Sequence, residues 1–149
     1  MKLLFFHAAF LLIFLFLSCK KDKELINIID FEKFTLITPP DWKRFEAQGY
    51  DTFVGGLTNK KDTLYFDYGL FSFGSLNNIK RTSGTLIFET LKINGYDAKI
   101  VKEKRPNENR TIYSMYVDKK DNENINRIYG YEIRDEKLVR KIFLSHKFK

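Results

Sequence analysis

The stretch GTLIFETLKINGYDAKIVKEK, Gly84 to Lys104, holds two apolar runs that are separated by Asn94 and Gly95. An Asn-Gly pair between apolar runs favours a two-residue hairpin turn, because both residues tolerate the positive φ angles that the turn requires. The stretch therefore predicts two antiparallel strands, and with them an antiparallel sheet on which the rest of the fold is built.

Further strands are predicted on both sides of this hairpin. After it, Thr111–Asp118 and Ile125–Ile133 flank the polar segment KKDNEN, which predicts a second hairpin. Before it, Lys33–Thr38, Asp51–Thr58 and Asp62–Phe73 are rich in aromatic and β-branched residues, as strands typically are. Short polar or glycine-containing turns separate most of these segments, which is the pattern of an antiparallel sheet.

Two helical segments are also predicted. Asp41 can cap a short helical turn that runs to Gln48, just after two prolines that end the first strand. Asp135 can cap a C-terminal amphipathic helix, whose apolar face carries Leu138, Val139, Ile142 and Phe143. We therefore predict an α+β fold with a single antiparallel β-sheet of about six to seven strands, a short N-terminal helical turn and a C-terminal amphipathic helix.

Two features inside the predicted strands are unusual. The pair Gly55–Gly56 predicts a bulge or a close approach of a neighbouring chain segment, because glycine weakens a strand interior. Asp67 lies within the aromatic run LYFDYGLF, and we expect it to face water together with Tyr65, while the residues that alternate with them face the core. Asp67 is also the candidate carboxylate if the protein is a hydrolase.

The N-terminus carries an apolar run that is too short to cross a membrane. Leu3 to Leu17 is apolar apart from His7, whereas a spanning helix needs about 20 apolar residues. A run of this length suits the hydrophobic region of a secretory signal peptide, and the small residue Ser18 precedes an abrupt change to lysine-rich sequence.

The segment LFLSCKK, Leu15 to Lys21, resembles the lipobox of bacterial lipoproteins, although Phe16 stands where leucine is usual. The resemblance implies that the chain is cut after Ser18 and that Cys19 is the lipidated first residue. It divides the chain into a signal peptide (1–18), a lipidated cysteine and tether (19–32) and a single α+β domain (33–149). An ordinary cleaved signal beside a free cysteine, and an uncleaved N-terminal anchor, are the alternatives.

The order of elements from Lys33 to Lys149 is similar to that of PsbP-like domains: FTLITPPDW, two or three central strands, an Asn-Gly hairpin and a closing amphipathic helix that ends in KIFLSHKF. That resemblance implies an antiparallel sheet flanked by helices, in a protein that is exported or associated with the envelope. Because such domains generally act as binding or assembly modules, it favours a protein that is not an enzyme.

The residue types that carry most catalytic or metal chemistry are scarce. His146 is the only histidine after the signal peptide, and we predict it as a surface or half-buried side chain at a helix end. DKKDNENIN, Asp118 to Asn126, lacks the central glycine and the final glutamate of a calcium loop. No phosphate-binding glycine motif is present. We therefore expect no catalytic residue, no metal site and no cofactor.

The predicted function is a lipid-anchored cell-envelope lipoprotein that acts as a binding or assembly module, with the outer membrane, facing the periplasm or the surface, as its location. Its partners would be the membrane, through acylated Cys19, and another envelope protein or a glycan. The net charge of +7 is typical of a mixed, solvated surface, and export argues against nucleic acid. The candidate binding patch comprises Tyr113, Tyr116, Tyr129, Tyr131, Lys119 and Lys120. An envelope hydrolase that uses carboxylates and an immunity-type lipoprotein that captures a toxin are the alternatives.

Overall fold

The computed structural model describes residues 23–49, 52–69, 75–105, 108–120 and 125–149, which form ten strands and one α-helix. In chain order these elements are β1 (Asn27–Asp30), β2 (Phe34–Thr38), β3 (Lys43–Glu46), β4 (Phe53–Thr58), β5 (Thr63–Tyr68), a 3₁₀ turn (Leu76–Asn78), β6 (Thr85–Ile93), β7 (Tyr96–Arg105), β8 (Arg110–Asp118), β9 (Ile125–Tyr131), α1 (Glu136–Leu144) and β10 (Lys147–Phe148).

The larger sheet has seven antiparallel strands in the order β3-β4-β5-β9-β8-β7-β6. Its two predicted hairpins are confirmed. Asn94 and Gly95 adopt φ angles of 49° and 87° in the turn between β6 and β7. The second hairpin pairs β8 with β9 and starts where Asp118 lies opposite Ile125. β9 then joins β5, so this hairpin connects the two halves of the sheet.

The smaller sheet has three strands in the order β1-β2-β10. β1 lies inside the range predicted as a tether, 19–32, and pairs with β2 over its whole length. The folded region therefore begins before residue 33. β10 follows the helix and brings the C-terminus back to β2, with Phe148 opposite Phe34.

The predicted fold class is wrong: the described part of the chain is mostly β, with two sheets and one α-helix where we expected a single sheet with two helical segments. The predicted helical turn between Asp41 and Gln48 is the strand β3, which pairs with β4. The reason is that pairing with β4, the next strand in the chain, satisfies the backbone groups of β3 better than an isolated turn would. The local capping signal of Asp41 does not outweigh that pairing.

The core lies between the two sheets and under α1. Phe34 of β2 contacts Phe66 of β5, and their ring centroids are 5.2 Å apart. Phe31, in the connection between β1 and β2, contacts the same ring with a centroid distance of 4.9 Å. The predicted C-terminal helix is confirmed, since the Asp135 side chain accepts a hydrogen bond from the backbone of Leu138 at 3.0 Å. Its buried side chains are the predicted Leu138, Val139, Ile142 and Phe143.

Two ion pairs hold α1 to the larger sheet. Lys102 of β7 lies 2.6 Å from Glu136, and Glu89 of β6 lies 2.7 Å from Arg140. The helix and the smaller sheet therefore cover one face of the larger sheet, which we call the inner face. The opposite face of the larger sheet is called the outer face. None of the described segments forms a helix long and apolar enough to span a bilayer.

Candidate functional site

A row of four aromatic side chains crosses the outer face. Residues directly opposite one another in neighbouring strands share a face, so the pairs Phe45–Gly56, Gly56–Tyr65 and Tyr65–Tyr129 assign these rings to one side. Successive ring centroids are 5.8 Å apart from Phe45 to Tyr65, 5.7 Å from Tyr65 to Tyr129, and 5.8 Å from Tyr129 to Tyr131. We call these four residues the aromatic row.

The row exists because β4 contributes glycine where its neighbours contribute rings. A Cβ atom at Gly56 would lie 2.3 Å from Cζ of Phe45, so the Phe45 ring occupies the space above this glycine. At Gly55, a Cβ would lie 2.8 Å from the ring of Phe66 on the inner face. The predicted close approach at the glycine pair is thus confirmed, once on each face of the sheet.

Arg127 of β9 fixes the middle of the row. Its guanidinium carbon lies 4.3 Å from the centroid of the Tyr129 ring and 5.5 Å from that of Tyr116, and the residue is only 9% exposed. Its Nη2 donates a hydrogen bond of 3.4 Å to Ser114 Oγ. A stacked, largely desolvated guanidinium restricts the orientation of the ring beneath it. The Tyr129 ring is therefore held in place before any partner binds.

The hydroxyl of Tyr129 remains protonated near neutral pH, because its pKa is raised. Burial is the largest cause of the raised pKa of Tyr129; Arg127 opposes that effect, while Tyr131 and Asp67 add to it. A phenol in this state both donates and accepts hydrogen bonds. The row consequently offers apolar ring faces together with the neutral hydroxyl of Tyr129.

Asp67 lies beside the row, on the same face as Tyr65, as predicted from the alternation, but its carboxylate is not fully open to water as expected. In the strand register its neighbours are Val54 of β4 and Arg127 of β9. It is half-buried, and its Oδ1 is enclosed without a hydrogen-bond partner among the described residues. Within those residues, no cluster of three or more His, Cys, Asp or Glu side chains is arranged to hold a metal ion.

A cleft of about 400 Å³ adjoins the row at Phe45, between β3 and β4. Its lining includes Arg44 and Glu46, which form an ion pair at 3.2 Å, and the rings of Phe53 and Phe66. Arg44, Glu46, Phe53 and Phe66 lie on the inner face, so this recess is not a continuation of the aromatic row and meets it only at Phe45.

The four tyrosines of the predicted patch do not lie together. Tyr113 is on the inner face, where it is 3% exposed and its ring lies 5.3 Å from that of Phe143 in α1. Burial raises the pKa of its hydroxyl to about 12. Tyr116 is on the outer face but buried in a small cluster with Leu76 and Val101. Only Tyr129 and Tyr131 belong to the aromatic row.

The two lysines of the predicted patch lie at the opposite end of the β8–β9 hairpin from Tyr131, which pairs with Ile112 near the start of β8. Lys120 forms an ion pair with Asp97 at 3.1 Å, and Lys119 lies 5.8 Å from the ring of Phe148.

The sequence-based prediction did not include Phe45 and Tyr65 in the patch. The signal that could have found them was Gly56, since a glycine in a strand interior leaves room for rings on the flanking strands.

His146 is not at the surface, in contrast to the prediction. It is fully buried, stacked on Phe34 at 5.2 Å and edge-on to Phe148 at 4.5 Å. Its Nε2 lies 2.9 Å from Nδ2 of Asn126, and burial lowers its pKa to about 3. The imidazole is therefore a neutral part of the core, and Nε2 accepts the amide hydrogen of Asn126.

No family model matches the chain, and no curated protein matches it either. Among solved structures, the chain is similar to a protein from Bacteroides thetaiotaomicron VPI-5482, with a TM-score of 0.53 and 16% sequence identity. The match covers 83% of this chain but 47% of the other, so the chain spans about half the length of that protein. At this identity the likeness concerns the fold alone.

Proposed function

We propose that this chain is a non-enzymatic lipoprotein of the cell envelope, anchored through acyl chains on Cys19, and that its domain binds another envelope protein. The observation that carries the binding role is the aromatic row on the outer face, at whose centre Tyr65 is 38% exposed.

The support for the anchor is the sequence LFLSCKK. Ser18 and Cys19 themselves lie outside the described residues. One acyl chain binds a bilayer only marginally, whereas two or three chains on the same cysteine make release very slow. Lys20 directly after the cysteine does not resemble an inner-membrane retention signal. We therefore assign the protein to the outer membrane.

A protein partner fits the composition of the row better than a glycan does. The central parts of protein–protein interfaces are enriched in Tyr, Phe and Arg and depleted in Lys, Asp and Glu. Here the row consists of three tyrosines and Phe45, Arg127 stacks on Tyr129, and the lysines of the predicted patch lie elsewhere. Tyrosine also provides a large contact area at a small cost in conformational entropy.

A catalytic role has less support from the same residues. A hydrolase that uses two carboxylates needs a second acid near the first. The strand neighbours of Asp67 are Val54 and Arg127, and the only histidine after the predicted signal peptide is enclosed in the core. The variant Asp67→Asn separates the two proposals, because a hydrolase would lose its activity whereas a binding protein would keep its partner.

The experiment that tests the binding role places a photo-activated cross-linking amino acid at position 65 in living cells. The matched control places it at Leu86, which is 57% exposed on β6 at the opposite edge of the same sheet. We expect a discrete cross-linked protein from position 65 and none from position 86. The cross-link should disappear when Tyr129→Ala is combined with the probe at position 65.

Other outcomes would contradict this proposal. A protease-resistant, heterogeneous adduct at position 65 would identify a glycan partner. Equal cross-linking at both positions would indicate random collisions in the envelope, and no cross-link at either position would leave the row without a partner in cells. Each of these results would overturn the assignment of a protein ligand to the outer face.

A further inference from the structure

An aliphatic patch lies on the outer surface of the three-stranded sheet. Ile26 and Ile28 are 66% and 68% exposed, although isoleucine is among the residues most often buried. They are two positions apart and so point to the same side of the chain, and Ile37 of β2 lies opposite Ile28. We call Ile26, Ile28 and Ile37 the isoleucine patch.

The patch is widened by a shallow groove of about 330 Å³ beside Ile26, which Pro39 and Pro40 also line. β1 is an edge strand of the smaller sheet. Edge strands of soluble proteins usually carry charges or are covered, because an exposed apolar edge invites association. The exposed apolar surface at this edge strand is therefore a candidate docking surface.

The short length of chain between Cys19 and β1 indicates what this surface contacts. Lys23, the first described residue, comes four positions after Cys19, and Ile26 comes seven positions after it. A fully extended chain spans at most about 3.6 Å per residue, so Ile26 lies no farther than roughly 25 Å from the anchored cysteine. A tether this short keeps the patch at a high effective concentration next to the membrane.

We propose that the isoleucine patch docks on the lipid leaflet that holds the acyl chains of Cys19. This inference rests on the proposed function, because it takes Cys19 as lipidated. The docked patch exchanges water for lipid, and the anchor removes most of the entropic cost of bringing it there. The protein then has a fixed orientation on the membrane, in place of free rotation about its tether.

The charges around the patch are compatible with a lipid surface. The carboxylate of Asp41 is paired with Lys23 at 2.6 Å, and that of Asp30 with Lys149 at 2.5 Å. Pairing offsets the repulsion that an anionic leaflet would exert on these acids. Glu24 has no ion pair among the described residues, and Lys20 and Lys21 precede it in the sequence. The apolar patch, more than net charge, therefore drives the docking.

The orientation that results would leave the aromatic row accessible. The two sheets meet through their inner faces, where Phe34 of the smaller sheet contacts Phe66 of the larger one. The isoleucine patch and the aromatic row consequently lie on opposite outer surfaces. Docking through the patch turns the row away from the lipid and toward a partner.

The test uses the full-length chain, acylated in its own membrane and reconstituted into vesicles of phosphatidylethanolamine and phosphatidylglycerol. Cys19 is the only cysteine in the sequence, and acylation consumes its thiol. A cysteine introduced by Ile28→Cys is therefore the only one that a polarity-sensitive fluorophore can label. The matched control is Leu86→Cys, another exposed aliphatic residue on an edge strand, but of the larger sheet.

We expect the fluorophore at position 28 to shift to shorter wavelength on vesicles and to be quenched by lipids that carry a nitroxide near the headgroup. The fluorophore at position 86 should show neither effect. If the intact mass includes acyl chains and position 28 still reports water, the docking proposal fails while the anchor stands. If the mass lacks acyl chains, the anchor itself fails.

Two further results would overturn the docking proposal. A shift at position 28 that depends on the ratio of protein to lipid, with energy transfer between labelled copies, would identify a second copy of the chain as the occupant. Equal quenching at positions 28 and 86 would mean that the domain lies on the membrane without a preferred face.

Discussion

At the scale of single residues, glycine and histidine show how neighbours decide what a residue does. Gly56 has a role only because Phe45 lies over it, and His146 is neutral only because Phe34, Phe148 and Asn126 enclose it. The sequence indicated the glycine pair, since a glycine inside a strand usually marks a bulge or a close approach of a neighbouring segment. It carried no signal for the burial of His146, because that burial depends on β10 returning to β2.

Gly56→Ala should lower the free energy of unfolding by about 2–3 kcal/mol, since the added Cβ would lie 2.3 Å from Phe45 Cζ and 2.4 Å from the backbone oxygen of Leu64. Gly95→Ala is the control: no atom lies within 4 Å of its Cβ position, so only its positive φ angle is strained. That strain costs about 1 kcal/mol. Urea unfolding measures both values, and equal losses would contradict the role of Gly56.

His146 should make the protein less stable in mild acid. Its pKa is about 3 when folded, and the usual value in an unfolded chain is about 6.5. Since the folded pKa is the lower one, the unfolded state binds the proton first as the pH falls below about 6.5, and stability is lost from there down to about pH 3. We expect a loss of about 2 kcal/mol from pH 7 to pH 5.

Urea unfolding at a series of pH values measures this dependence, and His146→Phe is the control. Phenylalanine keeps the ring contacts with Phe34 and Phe148 but has no proton to bind. The variant will be less stable than the parent at pH 7, because the amide of Asn126 loses its acceptor. Its stability should nevertheless change less between pH 7 and pH 5, and an equal slope in both proteins would show that His146 is not the group responsible.

At the scale of elements, local signals predicted the strands of five or more residues and the turns between them. The hairpin at Asn94–Gly95, the β8–β9 pair and the helix after Asp135 were all identified from short patterns. β1, β3 and β10 were missed for a common reason. Each has four residues or fewer. In addition, β10 lies more than a hundred residues from β2, the strand with which it pairs in the smaller sheet. Short strands carry too few residues for a periodic pattern.

Asp135→Ala should destabilise the protein by about 1 kcal/mol through the loss of the helix cap. The side chain of Asp135 accepts a hydrogen bond from the backbone of Leu138, and helix α1 buries four apolar side chains behind it. Asp135→Asn keeps a capping oxygen and should cost much less. Thermal unfolding monitored by circular dichroism measures both changes, and an equal loss in the two variants would argue against a capping role.

At the scale of the whole molecule, the face of the larger sheet on which a tyrosine lies decides its role. Tyrosines on the inner face pack in the core, whereas those of the aromatic row lie on the outer face. Alternation along β8 alone puts Tyr113 and Tyr116 on opposite faces, so they could not form one patch. Which of the two faces becomes the core depends on how the hairpin joins β5. Tyr113 became part of the core, while Tyr65 joined Tyr129 from a strand more than sixty residues away. A site built across strands that are distant in sequence leaves no compact motif in the chain.

Tyr113→Ala and Tyr65→Ala should therefore behave in opposite ways. The first removes a buried ring that packs on Phe143 and should cost about 3 kcal/mol of stability. The second should leave stability within about 1 kcal/mol of the parent and weaken capture of the partner. Denaturant unfolding combined with cross-linking from a neighbouring position distinguishes these effects, and a large stability loss for Tyr65→Ala would place that ring in the core.

Native mass spectrometry of C-terminally tagged protein, purified gently from membranes, tests the central claim most directly. We predict a mass equal to residues Cys19–Lys149 with the tag and two or three acyl chains, together with a bound protein that Tyr65→Ala removes. An unmodified mass recovered from the soluble fraction, with no bound protein, would contradict both the anchor and the binding role.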